Sequence, residues 1–189
     1  MKTILLCLLM FFSFSSVYGP LLQPLTKGEL KREAYYILVG EKLERQEKQL
    51  SLFLKHLGYS ESSNNYEAHN SYGYMGKYQF GYAALSDIGR PHITYNLFVR
   101  NPGIWCPDDQ ELAMREYLEY NTRILAQVIR DYDGQYHRGI YITKSGILAA
   151  AHLAGAQGVR NWFNFGYNAR DAFGTTIVDY MTRFSGYDF

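Results

Sequence analysis

The alternation of apolar and polar positions divides the chain into helical stretches around one irregular segment. From Glu29 to Leu57, the apolar residues Tyr36, Leu38, Leu43, Leu50, Phe53 and Leu54 are interleaved with charges, the pattern of one or two half-buried helices. Lys55-His56 followed by Gly58 reads as a helix stop, with Glu61 directly after it. Ser62 to Phe80 has no such period. It is rich in Asn, Ser, Gly and Tyr, the chemistry of turns and short strands, and predicts a small β-hairpin or irregular β-region.

A short helix over Gly81–Ile88 follows, ended by Gly89, and then a loop from Pro91 to Pro107. Pro107-Asp108-Asp109 opens the longest predicted helix, to about Tyr132, with Met114, Leu118, Leu125 and Ile129 as its buried stripe and Asp133-Gly134 as its break. Thr143 caps a helix carrying Ile147 to Leu153; others are predicted over Gln157–Phe163 and from Thr175 or Thr176 to Phe184. Many helices and one small β-element make an α+β, mainly α, domain over residues 29–189, without internal repeats.

The first 19 residues differ from the rest. Lys2, an apolar run from Ile4 to Phe14, then Ser15, Ser16 and Val17-Tyr18-Gly19 make a secretory signal pattern, with an h-region too short to span a bilayer. Pro20 to Gly28 is a lead-in. The expectation is an exported protein, periplasmic or secreted, with no stable membrane insertion after signal cleavage; a retained anchor is the rival reading. Without Lys2, the 19 Lys and Arg become 18, against 18 Asp and Glu, so no basic excess points to nucleic acid. The signal also takes Cys7, and Cys106 alone cannot build a disulfide framework. A chain of 189 residues that is 47% apolar is long enough for one well-buried core.

The candidate chemistry lies in spacing. Glu61-Ser62 is followed by Gly73, Gly76 and Gln79 at plus twelve, plus fifteen and plus eighteen, within Gly73-Tyr74-Met75-Gly76-Lys77-Tyr78-Gln79. Far downstream stands Ala151-His152-Leu153-Ala154-Gly155-Ala156-Gln157-Gly158-Val159-Arg160-Asn161-Trp162, and then Gly174-Thr175-Thr176 leading to Tyr180. The first block resembles the Glu-Ser…Gly-x-x-Gly-x-x-Gln motif of soluble lytic transglycosylases. The second resembles that family's Ala-Tyr-Asn-Ala-Gly block, with Ala151, Ala154, Gly155, Val159 and Trp162 in place. The third is similar, at looser spacing, to its final Thr and Tyr positions. Together the blocks cover roughly residues 50–189, and the Gly-Tyr-Met-Gly-Lys-Tyr-Gln form looks like a phage-type and secreted subgroup of this goose-type-lysozyme-like superfamily.

The resemblance implies a lysozyme-like fold and a peptidoglycan glycan strand as partner and substrate. It implies a one-carboxylate mechanism in which Glu61 first protonates the leaving glycosidic oxygen and then, as base, helps the muramyl 6-hydroxyl close a 1,6-anhydro ring. Physically, an acid at this position needs a proton held near neutral pH, which burial beside apolar and aromatic groups provides. Ser62, Gly76, Tyr74, Tyr78, Gln79, His152 and Tyr180 are the candidate substrate-binding residues: glycines admit close backbone approach, Gln79 offers a donor and an acceptor, and tyrosine faces suit sugar rings. His152-Leu153 departs from the family's Tyr-Asn, and Tyr78 stands where better-known members carry Met. Val159 and Trp162 are expected in the core; Tyr180 reads equally as core or groove.

Rival readings stay open at this point. A hydrolytic muramidase shares fold and acid, but a two-carboxylate site needs a second acid, for which Glu67 and Asp87 are the candidates. Cys106 before a helix start, with His137 or His152 as base, defines a thiol alternative. A non-catalytic glycan-binding or docking domain is the third. The histidines show no metal-ligand spacing, Glu67-Ala68-His69 being too short a pattern, so neither metal nor cofactor is expected. The oligomeric expectation is a monomer, with any envelope-assembly partner unspecified.

Overall fold

The computed structural model describes residues 25–189; the signal and most of the lead-in lie outside the described residues. Helix α1 (Lys27–Ser62) starts at a reciprocal cap. The Glu29 carboxylate accepts from Thr26 N at 2.7 Å and Thr26 Oγ1 at 2.8 Å, while Thr26 Oγ1 accepts from Glu29 N at 3.3 Å. The chain divides into two compact units, one ending at Glu44 and one spanning Arg45–Phe189. In the first, Tyr36, Leu38 and Leu43 are exposed rather than half-buried. Helical periodicity marks a stripe without saying what covers it. In the second, the same helix buries Phe53, Leu54 and Leu57.

Gly58 is not the helix stop. It is buried inside α1, where an added Cβ would meet Lys77 Cε at 2.5 Å and Asn64 Oδ1 at 2.7 Å. The helix runs on to Ser62 and closes through two non-glycine residues in the left-handed region, Ser63 (φ 58°) and Asn64 (φ 62°), with Asn64 N donating back to Gly58 O at 3.0 Å. Glu61 therefore belongs to the last turn of α1.

The segment to Phe80 is the irregular β-region of the two expected forms, not the hairpin. It has isolated bridges, His69 with Met75 and Met75 with Phe80, between tight turns. Left-handed Gly73, Gly76 and Gln79 leave only two-residue runs between them, too short to build a ladder. The sheet lies elsewhere: β1 (Tyr136–His137) pairs antiparallel with β2 (Ile140–Tyr141) around Arg138-Gly139, both at positive φ, as a two-residue hairpin turn requires. Helix α2 (Tyr82–Asp87) is where the pattern puts it. The expected loop holds α3 (Tyr95–Arg100) and a 3-10 turn (Pro102–Ile104), seated by buried Phe98 against Trp105 at 6.2 Å.

The long predicted helix is two, α4 (Pro107–Ile124) and α5 (Ala126–Tyr132), divided at buried Leu125. The last turn of α4 carries Asn121 and Thr122, whose side chains donate to Tyr117 O and Leu118 O, a local competition that weakens helix continuation. Conversely, the two helices expected around Gly155 form one kinked element, α6 (Lys144–Phe165), with Gly155 at φ 69° and ψ 165°. Thr143 caps it as expected, accepting from Gly146 N at 3.1 Å, and every residue from Ser145 to Ala151 is buried. Helix α7 (Ile177–Arg183) is capped by Thr176 and Asp179 reciprocally. The fold of the described residues is thus mainly helical with one small antiparallel sheet, and no described helix is long and apolar enough to cross a membrane.

Helices α6 and α7 touch backbone to backbone: a Cβ on Gly146 would sit 2.5 Å from Met181 O. A carbonyl inside a helix cannot swing aside, so Gly146→Ala must push the two helices apart. We expect roughly 3 kcal/mol of destabilisation and a Tm lower by about 10 °C, read from the helical circular dichroism signal on heating.

Candidate active site

One carboxylate oxygen gathers residues from all three sequence blocks. Glu61, from the end of α1, accepts at Oε1 a 2.5 Å hydrogen bond from the Tyr180 hydroxyl of α7. His152 Nε2, from α6, lies 3.8 Å from the same oxygen. That is too long for a hydrogen bond, and Nε2 is in any case spent at 2.8 Å on Tyr78 O. A carbonyl only accepts, so this contact assigns the proton to Nε2. His152 Nδ1 is buried without a partner among the described residues, and Phe80 and Tyr117 stand edge-on to the ring.

The Glu61 side chain is 16% exposed, mostly but not wholly screened from solvent. Among the described residues no hydrogen bond reaches Oε2, leaving that oxygen for an incoming group. Burial first, and then the facing Glu61 charge and the hydrogen bond to it, push the Tyr180 phenol well above its ordinary pKa. Tyr180 therefore stays a donor. Its ring also lies 5.7 Å from the Arg183 guanidinium, which donates to Ser60 Oγ at 2.9 Å.

The remaining predicted residues fall in different places. Tyr78 does not face a groove: it is wholly buried, and its hydroxyl donates to Glu111 Oε2 at 2.7 Å, so no ring face is left for a sugar. Gly76 is not open to a ligand either, since a Cβ there would meet Gln110 Oε1 at 2.5 Å and Trp105 Cζ3 at 3.1 Å. Gln79 uses both ends of its amide within its own turn, donating to Gly76 O at 2.9 Å and accepting from Asn70 Nδ2 at 2.9 Å. Ser62 Oγ donates to Lys77 O at 2.7 Å, tying the end of α1 to that turn. Tyr74 is 47% exposed and remains available. Val159 and Trp162 are core residues, as expected.

The sequence reading missed the cluster that holds the Gly-rich turn in place. Lys77 Nζ is 2.6 Å from Glu111 Oε1, which also accepts from the Tyr66 hydroxyl at 2.8 Å. Lys77 Nζ lies 5.2 Å from the centroid of the Tyr66 ring and 4.9 Å from that of Tyr78. Burial opposes the Glu111 charge, but hydrogen bonds from Lys77, Tyr78 and Tyr66 outweigh it and hold the carboxyl below its usual range. Burial first, and then Glu111, push Tyr66 up to about 12. Fully buried Gln110 completes the clamp, accepting from Lys77 N at 2.8 Å and donating to Tyr66 O and Trp105 O at 2.9 Å each. Its position was readable: Gln110, Met114 and Leu118 share one helical stripe, so a polar residue there needed partners. Glu111 gave no such signal.

The rival chemistries find less. Cys106 is exposed at the start of α4, and no hydrogen bond joins it to a histidine among the described residues. His137 is stacked on Phe163, with Tyr132 and Trp162 against it. No group of three His, Cys, Asp or Glu side chains able to hold a metal converges among the described residues. Comparison with protein-family models, curated proteins and solved structures found no match for the chain.

Proposed function

We propose that this protein is an exported peptidoglycan lytic transglycosylase with a lysozyme-like fold, and that Glu61 is its single acid and base. The observation that carries the reading is the convergence of Glu61, His152 and Tyr180, 91 and 119 positions apart from the first, on one carboxylate oxygen. The resemblance in sequence ties these same three blocks together.

The division of labour follows from the hydrogen bonds. Tyr180 fixes Oε1, so Oε2 carries the proton to the glycosidic oxygen as its bond to muramyl C1 breaks. The resulting carboxylate then accepts the proton of the muramyl 6-hydroxyl, and O6 bonds to C1. No water enters the product, and attack within one sugar replaces a bimolecular step. His152 keeps its Nε2 proton on Tyr78 O. It acts as a wall of the site and not as a second base.

The test is the product. Treating purified peptidoglycan with the protein should release muropeptides ending in 1,6-anhydro-muramic acid, identified by mass. Hydrated reducing ends would replace the lyase reading with a hydrolase, and cut peptide bonds would shift the chemistry to Cys106. Wall binding without products would make the domain a non-catalytic binder.

A further inference from the structure

Two turns of this chain share one design. Asn70-Ser71-Tyr72-Gly73 and Asp171-Ala172-Phe173-Gly174 each place an Asx residue two positions before an aromatic and three before a glycine. Asn70 Oδ1 accepts from Tyr72 N at 2.9 Å, and Asp171 Oδ1 accepts from Phe173 N at 2.8 Å. In each turn the glycine N donates to the Asx carbonyl at 3.2 Å, and both glycines have φ 88°. The turns lie about a hundred residues apart, yet their aromatics meet edge to face, with ring centroids 6.1 Å apart and planes at 86°.

Neither ring is part of a core. Tyr72 is 62% exposed and Phe173 is 78% exposed. Aromatic rings left in water at the tips of hydrogen-bonded turns are displayed rather than stored, because both turns hold them out by side-chain to backbone bonds. Both turns also hang on the machinery around Glu61. Asn70 donates to Gln79, the last residue of the first block. The second turn runs into the Thr176 cap of α7, the helix whose Tyr180 holds Glu61.

We propose that Tyr72 and Phe173 form a two-turn aromatic clamp that binds a pyranose ring of the glycan strand. This inference rests on the reading of Glu61 as a glycan-cleaving acid. The chemistry fits a sugar better than a protein partner. With one edge-to-face contact between them, the crossed rings keep open faces to water and make no flat apolar patch. The electron-rich face of an aromatic ring attracts the C–H face of a pyranose. The clamp also assigns a use to residues that neither the core nor the Glu61 contacts employ.

The test is calorimetric titration of denuded glycan strands, peptidoglycan freed of its peptides, into the Glu61→Gln protein, which should bind without cleaving. Adding Tyr72→Ala or Phe173→Ala should each weaken binding about tenfold, while Tyr72→Phe and Phe173→Tyr, which keep the ring, should stay within about twofold. Exposed positions predict unchanged melting temperatures, which separates lost binding from lost folding. Unchanged affinity in both alanine variants would overturn the clamp and leave Glu61 untouched. Tyr72→Phe failing as badly as Tyr72→Ala would replace ring stacking by a hydroxyl contact and overturn it as well. Strands that are neither bound by the Glu61→Gln protein nor cut by the unaltered one would bring down the glycan reading, and the clamp with it.

Discussion

Glu61→Gln should lower the rate of peptidoglycan clearing by about a thousandfold or more while glycan binding survives. The substitution keeps the shape of the side chain and an acceptor oxygen for Tyr180, whose hydroxyl donates to Oε1 at 2.5 Å. What it removes is the proton for the leaving oxygen, and no other carboxylate of the site stands ready to supply one. Glu111, the acid nearest to the Gly-rich turn in its contacts, is engaged by Lys77, Tyr66 and Tyr78. Turbidity loss of a peptidoglycan suspension reads the rate, and co-sedimentation reads the binding. Cys106→Ala in the same assay should leave clearing unchanged. Retention of clearing within tenfold by Glu61→Gln would remove Glu61 from the chemistry.

The second large effect is on stability. Lys77→Met should destabilise the protein by about 2–3 kcal/mol near neutral pH and lower Tm by roughly 5–10 °C. The ammonium lies 2.6 Å from Glu111 Oε1, with the side chains 9% and 30% exposed. Methionine fills most of the volume and leaves a half-buried carboxylate with two tyrosine donors and no ion-pair partner in hydrogen-bond contact. The partial exposure of Glu111 sets the figure below that for a fully buried pair. The pH dependence has a definite sign. The Glu111 carboxyl is held below its ordinary range in the fold, so its stabilisation is full above the ordinary carboxylate pKa, roughly 4.3, and is lost as pH falls through the folded value. The gap between wild type and Lys77→Met should therefore narrow on acidification. Urea melts at neutral and acidic pH measure it, and a gap that stays constant would mean that lost packing, not lost charge, is responsible.

The legible parts of this molecule are those governed by local chemistry. The Thr143 and Thr176 caps, the buried stripe of α4 and the core positions of Val159 and Trp162 all follow from short-range pattern. The approach of Glu61, His152 and Tyr180 was foreshadowed by the spacing of the three blocks, although Tyr180 read equally as a core residue. Long-range contacts decided the rest. Gly58 reads as a helix stop in isolation, but it is a packing glycine: the Lys77 side chain occupies the space a Cβ would need, within a helix that continues and carries Glu61 in its last turn. Tyr78 reads as a groove residue until Glu111, 33 positions away, turns its hydroxyl inward. The Tyr- and Gly-rich segment reads as a hairpin or an irregular β-region and is the latter, while the four-residue sheet folded about Arg138-Gly139 is too short to leave a period.

The bond from Tyr180 to Glu61 spans 119 positions, which gives the site a place in time as well as in space. Local structure such as the end of α1 forms early, because it needs little loop closure, whereas a contact of this sequence separation carries a large closure entropy and forms late. Without α7 docked, Glu61 lacks the hydrogen bond from Tyr180. If Glu61 is the proposed acid, activity should therefore require α7 to be docked, so that a partly folded chain is inert.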